Sequence, residues 1–173
     1  MVIYTPFPTD KNLGGAYNEI IASSRDEWVI LKDYDVCGLT PTQLLQIPEY
    51  INKYGDGTGI FTCYTNRIGY GHQRYRGEVS EDSDIKHHIE IAKNLESLHL
   101  SVTKMPELIS GFFMVVKKSA WEKVQGFPDG LLGVDDKFSR KIHKAGFDIL
   151  RMDTIYLWHN YRLGKDWRDI SHL

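Results

Sequence analysis

Two aspartates separated by one residue, Asp33-Tyr34-Asp35, follow closely on the apolar run Trp28-Val29-Ile30-Leu31. In an extended strand, residues i and i+2 point to the same side, so the spacing predicts both carboxylates together at a buried strand's end. Side-by-side carboxylates raise each other's pKa unless a cation lies between them. Such oxygen ligands suit hard ions such as Mg²⁺ or Mn²⁺, which also take phosphate oxygens. Open α/β sheets bind ligands at the carboxyl ends of their strands. The plainer alternative is a solvated acidic turn.

Three further segments carry candidate chemistry. His159 ends the apolar run Ile155-Tyr156-Leu157-Trp158; it is either a metal ligand through neutral imidazole or a half-buried histidine bonded to backbone. Gly133-Val134-Asp135-Asp136 lies between a glycine-rich turn and a helix start. There Asp135 is either a helix cap, with Asp136 a first-turn acid favoured by the dipole, or a general base for an attacking hydroxyl. Asn12-Leu13-Gly14-Gly15 precedes a helix. Its glycines let backbone approach a ligand, and the helix N-terminus favours anions, but the spacing is neither a Walker loop nor a Gly-x-Gly-x-x-Gly fingerprint.

The elements needed to position these residues alternate in the manner of an α/β domain. Strands are expected at 2–5, 28–31, 59–65 and 111–116, with strand-like runs at 147–152 and 154–158. Helices are expected at 16–24, from Thr40-Pro41-Thr42-Gln43 with a kink or restart at Pro48, at 83–98, from Ser119 onward, and at 135–145. His87 and His88 are expected at the surface or rim of the third helix. Residues 69–80, with Tyr70, His72, Arg74, Tyr75 and Arg76, read as a mobile loop that closes over a ligand or presents an acceptor.

Composition sets the class. The chain has 173 residues, 42% hydrophobic and 25% charged, with a net charge of -2. That is an ordinary composition for one globular domain, here expected over residues 1–173. Scattered Lys and Arg give no basic stripe for nucleic acid. No apolar run reaches the length of a membrane span. The segment Met1-Val2-Ile3-Tyr4-Thr5-Pro6 has no basic n-region. The two cysteines, Cys37 and Cys63, fit a reducing compartment. A soluble, cytoplasmic protein is expected, with homo-oligomerisation left open.

The order of these pieces carries a resemblance. A strand ends in Thr5-Pro6-Phe7, and an Asn-x-Gly loop opens a helix with Ala16-Tyr17-Asn18. A second strand delivers Asp33-Tyr34-Asp35. Then come the segment from Gly111 to Trp121, Gly126-Phe127, Gly133-Val134-Asp135-Asp136 and a late histidine. Over nearly the whole chain this resembles the A-type glycosyltransferase (GT-A) fold, specifically family 2-like glycosyltransferases. The later segments are similar to the galactosyltransferase-type C-terminal half of polypeptide N-acetylgalactosaminyltransferases.

The resemblance implies a compact α/β fold with a mixed central sheet flanked by helices. It also implies transfer of a hexosyl or N-acetylhexosaminyl group. The donor would be a nucleotide-diphosphate sugar, with a UDP-sugar expected. The acceptor would be a hydroxyl on a glycan, a protein or a lipid-linked molecule. Thr5, Pro6 and Phe7 would contact the base, and Asn12 and Gly14 would lie near the nucleotide. Asp33 and Asp35 would hold Mn²⁺ or Mg²⁺, with Asp33 also at the ribose and His159 completing the metal shell. Gly111 would line the sugar pocket, Arg162 would help neutralise diphosphate, and Asp135 would be the base, with Asp136 second. In two respects the chain departs from the family: the part before Asp33 is shortened, and Val134 stands where Glu is usual. The alternatives are a catalytically inactive nucleotide- or sugar-binding module and a nucleotidyltransferase. The latter's Gly-rich, basic signature is not matched by Pro6-Phe7-Pro8-Thr9.

Overall fold

A computed structural model describes residues 2–160. Seven strands form one mixed sheet: β1 (Ile3–Tyr4), β2 (Trp28–Lys32), β3 (Val36–Gly38), β4 (Thr58–Thr65), β5 (Val102–Lys104), β6 (Phe113–Lys117) and β7 (Asp148–His159). The helices are α1 (Leu13–Ser23), α2 (Ile47–Tyr54), α3 (Ile85–Glu96), α4 (Lys118–Lys123) and α5 (Val134–Lys144). The strand order is β1-β2-β6-β4-β7-β3, with β5 also pairing β7. This is the expected α/β architecture.

The apolar runs become the central strands because both of their faces are covered. Alternate residues divide between two cores. Val29, Leu31, Ile60, Met114 and Val116 pack against Tyr17 and Ile21 of α1 and against Val134, Phe138 and Ile142 of α5. Ile30, Phe61, Phe113, Val115 and Leu157 pack against Ile47 and Tyr50 of α2. Through Ala92 and Leu95, α3 packs on Tyr156 of β7.

Strand direction gathers the chemistry at one edge. β1 and β2 are parallel, β6 is antiparallel to both β2 and β4, and β4 and β7 are parallel. The carboxyl ends of β1, β2, β4 and β7 therefore share an edge with the amino end of β6. Phe7, Asp33, Asn66, His159 and Gly111 all lie just beyond or at those ends. The two runs expected at 147–152 and 154–158 are one strand, whose register against β4 shifts between Met152 and Tyr156.

Several local expectations are corrected. The helix expected from Thr40 opens only as a 3-10 turn at 43–46, and the restart expected at Pro48 is present: α2 starts at Ile47 with Pro48 in its first turn. Thr40 still accepts the Gln43 N–H, at 3.2 Å. Ser119 does not cap α4; Lys117 is the cap residue, and the Ser119 hydroxyl donates to Glu27. α1 starts earlier than expected, at Leu13, because Asn12 caps it. His88 is fully buried rather than at the surface, with its ring between the Tyr156 hydroxyl at 2.7 Å and the Asp82 carbonyl at 2.8 Å. Both cysteines are free. Among the described residues, no helix is long and apolar enough to cross a membrane.

α1 crosses the loop before α5 at very short range. The Gly14 N–H donates to the Gly130 carbonyl at 3.0 Å, and a Cβ on Gly14 would lie 1.8 Å from the Pro128 carbonyl oxygen. Gly14→Ala is expected to cost about 1–3 kcal/mol by forced repacking, or roughly 2–12 °C in melting temperature. Differential scanning calorimetry of the variant measures this directly.

Candidate metal and active site

The acidic pair sits in a turn, not on a strand. β2 stops at Lys32, the Val36 N–H donates to the Asp33 carbonyl at 3.3 Å, and β3 begins at Val36. The two carboxylates thus converge because the chain reverses, and strand alternation plays no part. The Lys32 ammonium holds the turn shut by donating to the Asp33 carbonyl at 2.7 Å and the Val36 carbonyl at 2.8 Å.

The turn is also fixed from the far end of the fold. Val36 pairs with His159 in the β3–β7 ladder, and the Asn160 N–H donates to the Asp35 carbonyl at 2.9 Å. This register places His159 Nε2 3.2 Å from Asp35 Oδ1. Asp33, Asp35 and His159 each offer one ligand atom, and these atoms all lie within 4.8 Å of one another.

Three residues fix the imidazole, two at the ring and one through the main chain of His159. Its Nδ1 lies 3.0 Å from the Arg67 carbonyl, which can only accept. A hydrogen on Nδ1 leaves Nε2 as the ring's ligand atom, the usual arrangement around a ligating histidine. The ring stacks on Phe112 at 5.6 Å between centroids. The Asn66 side chain accepts the His159 N–H at 2.7 Å and donates to the His159 carbonyl at 3.2 Å. Asn66 escaped the sequence reading, although it follows the apolar strand β4 just as Asp33 follows β2.

Asp135 and Asp136 lie in the first turn of α5. Asp135 is not the cap; Gly133 occupies that position with φ 66. Asp135 Oδ2 instead accepts the Gly111 N–H at 2.6 Å, and its Oδ1 accepts the Asp136 N–H at 3.0 Å. A Cβ on Gly111 would stand 3.0 Å from that of Asp135, so Gly111 backs the carboxylate directly. Asp136 Oδ1 accepts the Tyr70 hydroxyl at 2.9 Å.

Residues 69–80, expected as a mobile loop, form a pinned excursion with short turns at Gly71–Gln73 and Tyr75–Gly77. Buried Gln73 does the pinning. Its amide donates to Thr62 Oγ1 and the Ser110 carbonyl, and its carbonyl accepts the Ser110 N–H at 2.7 Å. A lone glutamine in a polar stretch carries no sequence signal of such a role.

The remaining sequence candidates are placed as follows. Thr5, Pro6 and Phe7 follow β1, and the exposed Phe7 and Tyr34 rings meet edge to face with centroids 6.1 Å apart. Asn12 caps α1: its side-chain oxygen accepts from Gly15 and Gly130, and its amide donates to Asp129. That role and the close approach of Gly14 account for both residues through packing. Arg162 lies outside the described residues.

Burial first, and neighbouring charges second, perturb the acids. Asp33 is pushed up to about 6 by burial; His159 and Lys32 oppose this, while Asp35 and Asp135 add to it. Burial also pushes Asp35 up, but the hydrogen bond and charge of His159 outweigh it and hold Asp35 below its ordinary value. Asp135 is raised by burial, with the Gly111 N–H opposing and Asp136 adding. Two carboxylate oxygens and one oriented imidazole nitrogen fit a divalent cation, and the mixed set suits Mn²⁺ better than the oxygen-demanding Mg²⁺.

Among solved structures, the mannosyltransferase PcManGT from Pyrobaculum calidifontis, in complex with GDP-Man and Mn²⁺, has a similar fold. The TM-score is 0.55 at 14% sequence identity, over 86% of this chain and 36% of that one. The chain has a glycosyltransferase-like fold. It spans 36% of that mannosyltransferase's length. Neither a protein-family model nor a curated protein sequence matches it.

The raised Asp33 pKa has a defined sign. Its neutral form favours the folded state, so its stabilisation is full below the unfolded value of about 4 and is lost as pH rises to about 6. Asp35, lowered, contributes stability that is lost as pH falls. In metal-free protein, Asp33→Asn is therefore expected to raise the melting temperature at pH 7 and to change it little at about pH 3.5, below the unfolded value. Equal shifts at both pH values in calorimetric melts would contradict this assignment.

Proposed function

We propose that the chain is a metal-dependent glycosyltransferase of the GT-A, family 2-like type. In this reading it moves a sugar from a nucleotide-diphosphate donor to a hydroxyl acceptor. The observation that carries the reading is the convergence of Asp33, Asp35 and His159 at the carboxyl edge of a glycosyltransferase-like sheet.

The residues divide the work. Asp33, Asp35 and His159 would hold Mn²⁺. When bound, such an ion acts as a Lewis acid on the diphosphate leaving group, a contribution of several kcal/mol. Phe7 and Tyr34 offer exposed aromatic faces beside the acidic turn, suited to packing against a nucleobase. The fold relative is described with GDP-Man, so the expected uridine gains no support from it. The donor is proposed only as a nucleotide-diphosphate sugar.

Asp135 is the proposed base. In the transfer, the acceptor oxygen forms a bond to the anomeric carbon, the bond from that carbon to the phosphate oxygen breaks with its electrons, and the acceptor proton passes to the Asp135 carboxylate. A buried carboxylate with a raised pKa is matched to that step near neutral pH. The Gly111 N–H holds its orientation, and Asp136 is held aside by Tyr70. Gly111, at the amino end of β6, would border the sugar.

Two variants test these roles separately. Asp35→Ala is expected to abolish Mn²⁺-dependent binding of a nucleoside diphosphate in isothermal titration calorimetry. Asp135→Asn is expected to keep that binding and to lower turnover about 10²–10⁴-fold. Full turnover in Asp135→Asn would remove Asp135 as the base. Wild-type nucleotide binding that is indifferent to Mn²⁺ would favour a non-catalytic binding module.

A further inference from the structure

The excursion that follows β4 also forms one wall of a groove of about 520 Å³. The other wall is one flank of α3, with His87, Glu90 and Asn94. Tyr75 lies on the excursion side, and buried Asn66 and Tyr156 also line the groove. A volume of this size is in the range of small-molecule sites.

The groove adjoins the metal site through shared residues. Asn66, which lines it, holds both main-chain groups of His159. Glu81, another lining residue, pairs with the buried guanidinium of Arg67, whose carbonyl faces His159 Nδ1. From Asn66 the same stretch of chain runs to Tyr70, whose hydroxyl sits on Asp136 beside the proposed base. One continuous segment therefore borders the reaction centre at Tyr70 and the groove from residue 75 onward.

The lining chemistry selects a class of occupant. Arg67 neutralises Glu81, and the remaining Glu78 and Glu90 still outnumber Arg76, whose guanidinium lies over the Tyr75 ring. The lining therefore offers phosphate and carboxylate no net positive charge, so the groove does not suit the donor's diphosphate. Half-buried Tyr75 presents aromatic surface, backed edge to face by buried Tyr156, with centroids 5.9 Å apart. Carboxylate and amide groups accept from hydroxyls, and the amide also donates. Aromatic surface edged by such groups matches the apolar faces and hydroxyl rims of a sugar chain.

We infer that this groove is the acceptor subsite, and that it takes a neutral, hydroxyl-rich oligosaccharide whose reactive end lies toward Tyr70 and Asp135. This deepens the glycosyltransferase reading and rests on it. Glu90 and Asn94 are exposed on successive turns of α3, so substitutions there change the groove without entering the core.

The test uses the full chain, with Mn²⁺ and GDP or UDP, on an array of immobilised neutral gluco-, manno- and galacto-oligosaccharides. Sialylated and sulfated glycans and lysine-rich peptides serve as competitors. Wild type is expected to bind neutral glycans. Asn94→Trp, which fills the groove, and Glu90→Gln are expected to lose that binding at least tenfold while keeping calorimetric Mn²⁺-dependent nucleotide binding. Three results overturn the inference while leaving the glycosyltransferase reading intact, provided wild type binds nucleotide with Mn²⁺. They are no neutral-glycan binding, a preference for acidic glycans or peptides, and glycan binding unchanged in both variants. Absence of Mn²⁺-dependent nucleotide binding in wild type overturns the underlying reading and the acceptor role together.

Discussion

The main-chain pairing of Val36 with His159 is the constraint on which the site depends. It brings a late strand end against an early turn, and it fixes their separation by ladder geometry rather than by side-chain reach. The Asn160–Asp35 backbone hydrogen bond extends the same register. A slip of one residue in β7 would turn the imidazole to the other face of the sheet. Phe112 and the Arg67 carbonyl hold the ring within that frame, Asn66 holds the His159 main chain, and Lys32 holds the opposing turn. The ligand atoms thus meet because backbone and second-layer contacts leave them little freedom.

The same convergence concentrates negative charge. Asp33, Asp35 and Asp135 act on one another inside a partly buried edge, and Lys32 and His159 balance them only in part. Without a cation, burial, helped by the neighbouring carboxylates, keeps Asp33 closer to neutral than an ordinary carboxylate. The strain is electrostatic, and its natural relief is a bound divalent ion. Asp135 stands somewhat apart, oriented by a backbone N–H, which allows it a separate role from the pair.

Much of this frame was legible in the sequence, for physical reasons. Continuous apolar runs such as Trp28–Leu31 and Gly111–Val116 became central strands, and polar residues at their ends marked the working edge. The parts not legible depend on contacts distant in sequence. β3 and β5 have three residues each and no apolar run of their own; they exist because β7 offers them a partner. The acidic pair was expected to align by strand alternation at the end of β2, but Lys32 closes a turn there instead. Asp135 read most simply as a cap until Gly111 supplied its partner. The burial of His88 followed from Tyr156, and the pinning by Gln73 from Ser110; neither is visible in local pattern.

β7 pairs with β3, β4 and β5, and every one of these partners precedes it in the chain. During vectorial synthesis on a ribosome, the sheet must therefore wait for an inner strand that emerges after its neighbours. Until then β4 is an uncovered edge with unpaired backbone groups, the kind of surface that invites mispairing between nascent chains. Docking of β7 on β4 is therefore the step that closes this edge and protects the nascent sheet from mispairing.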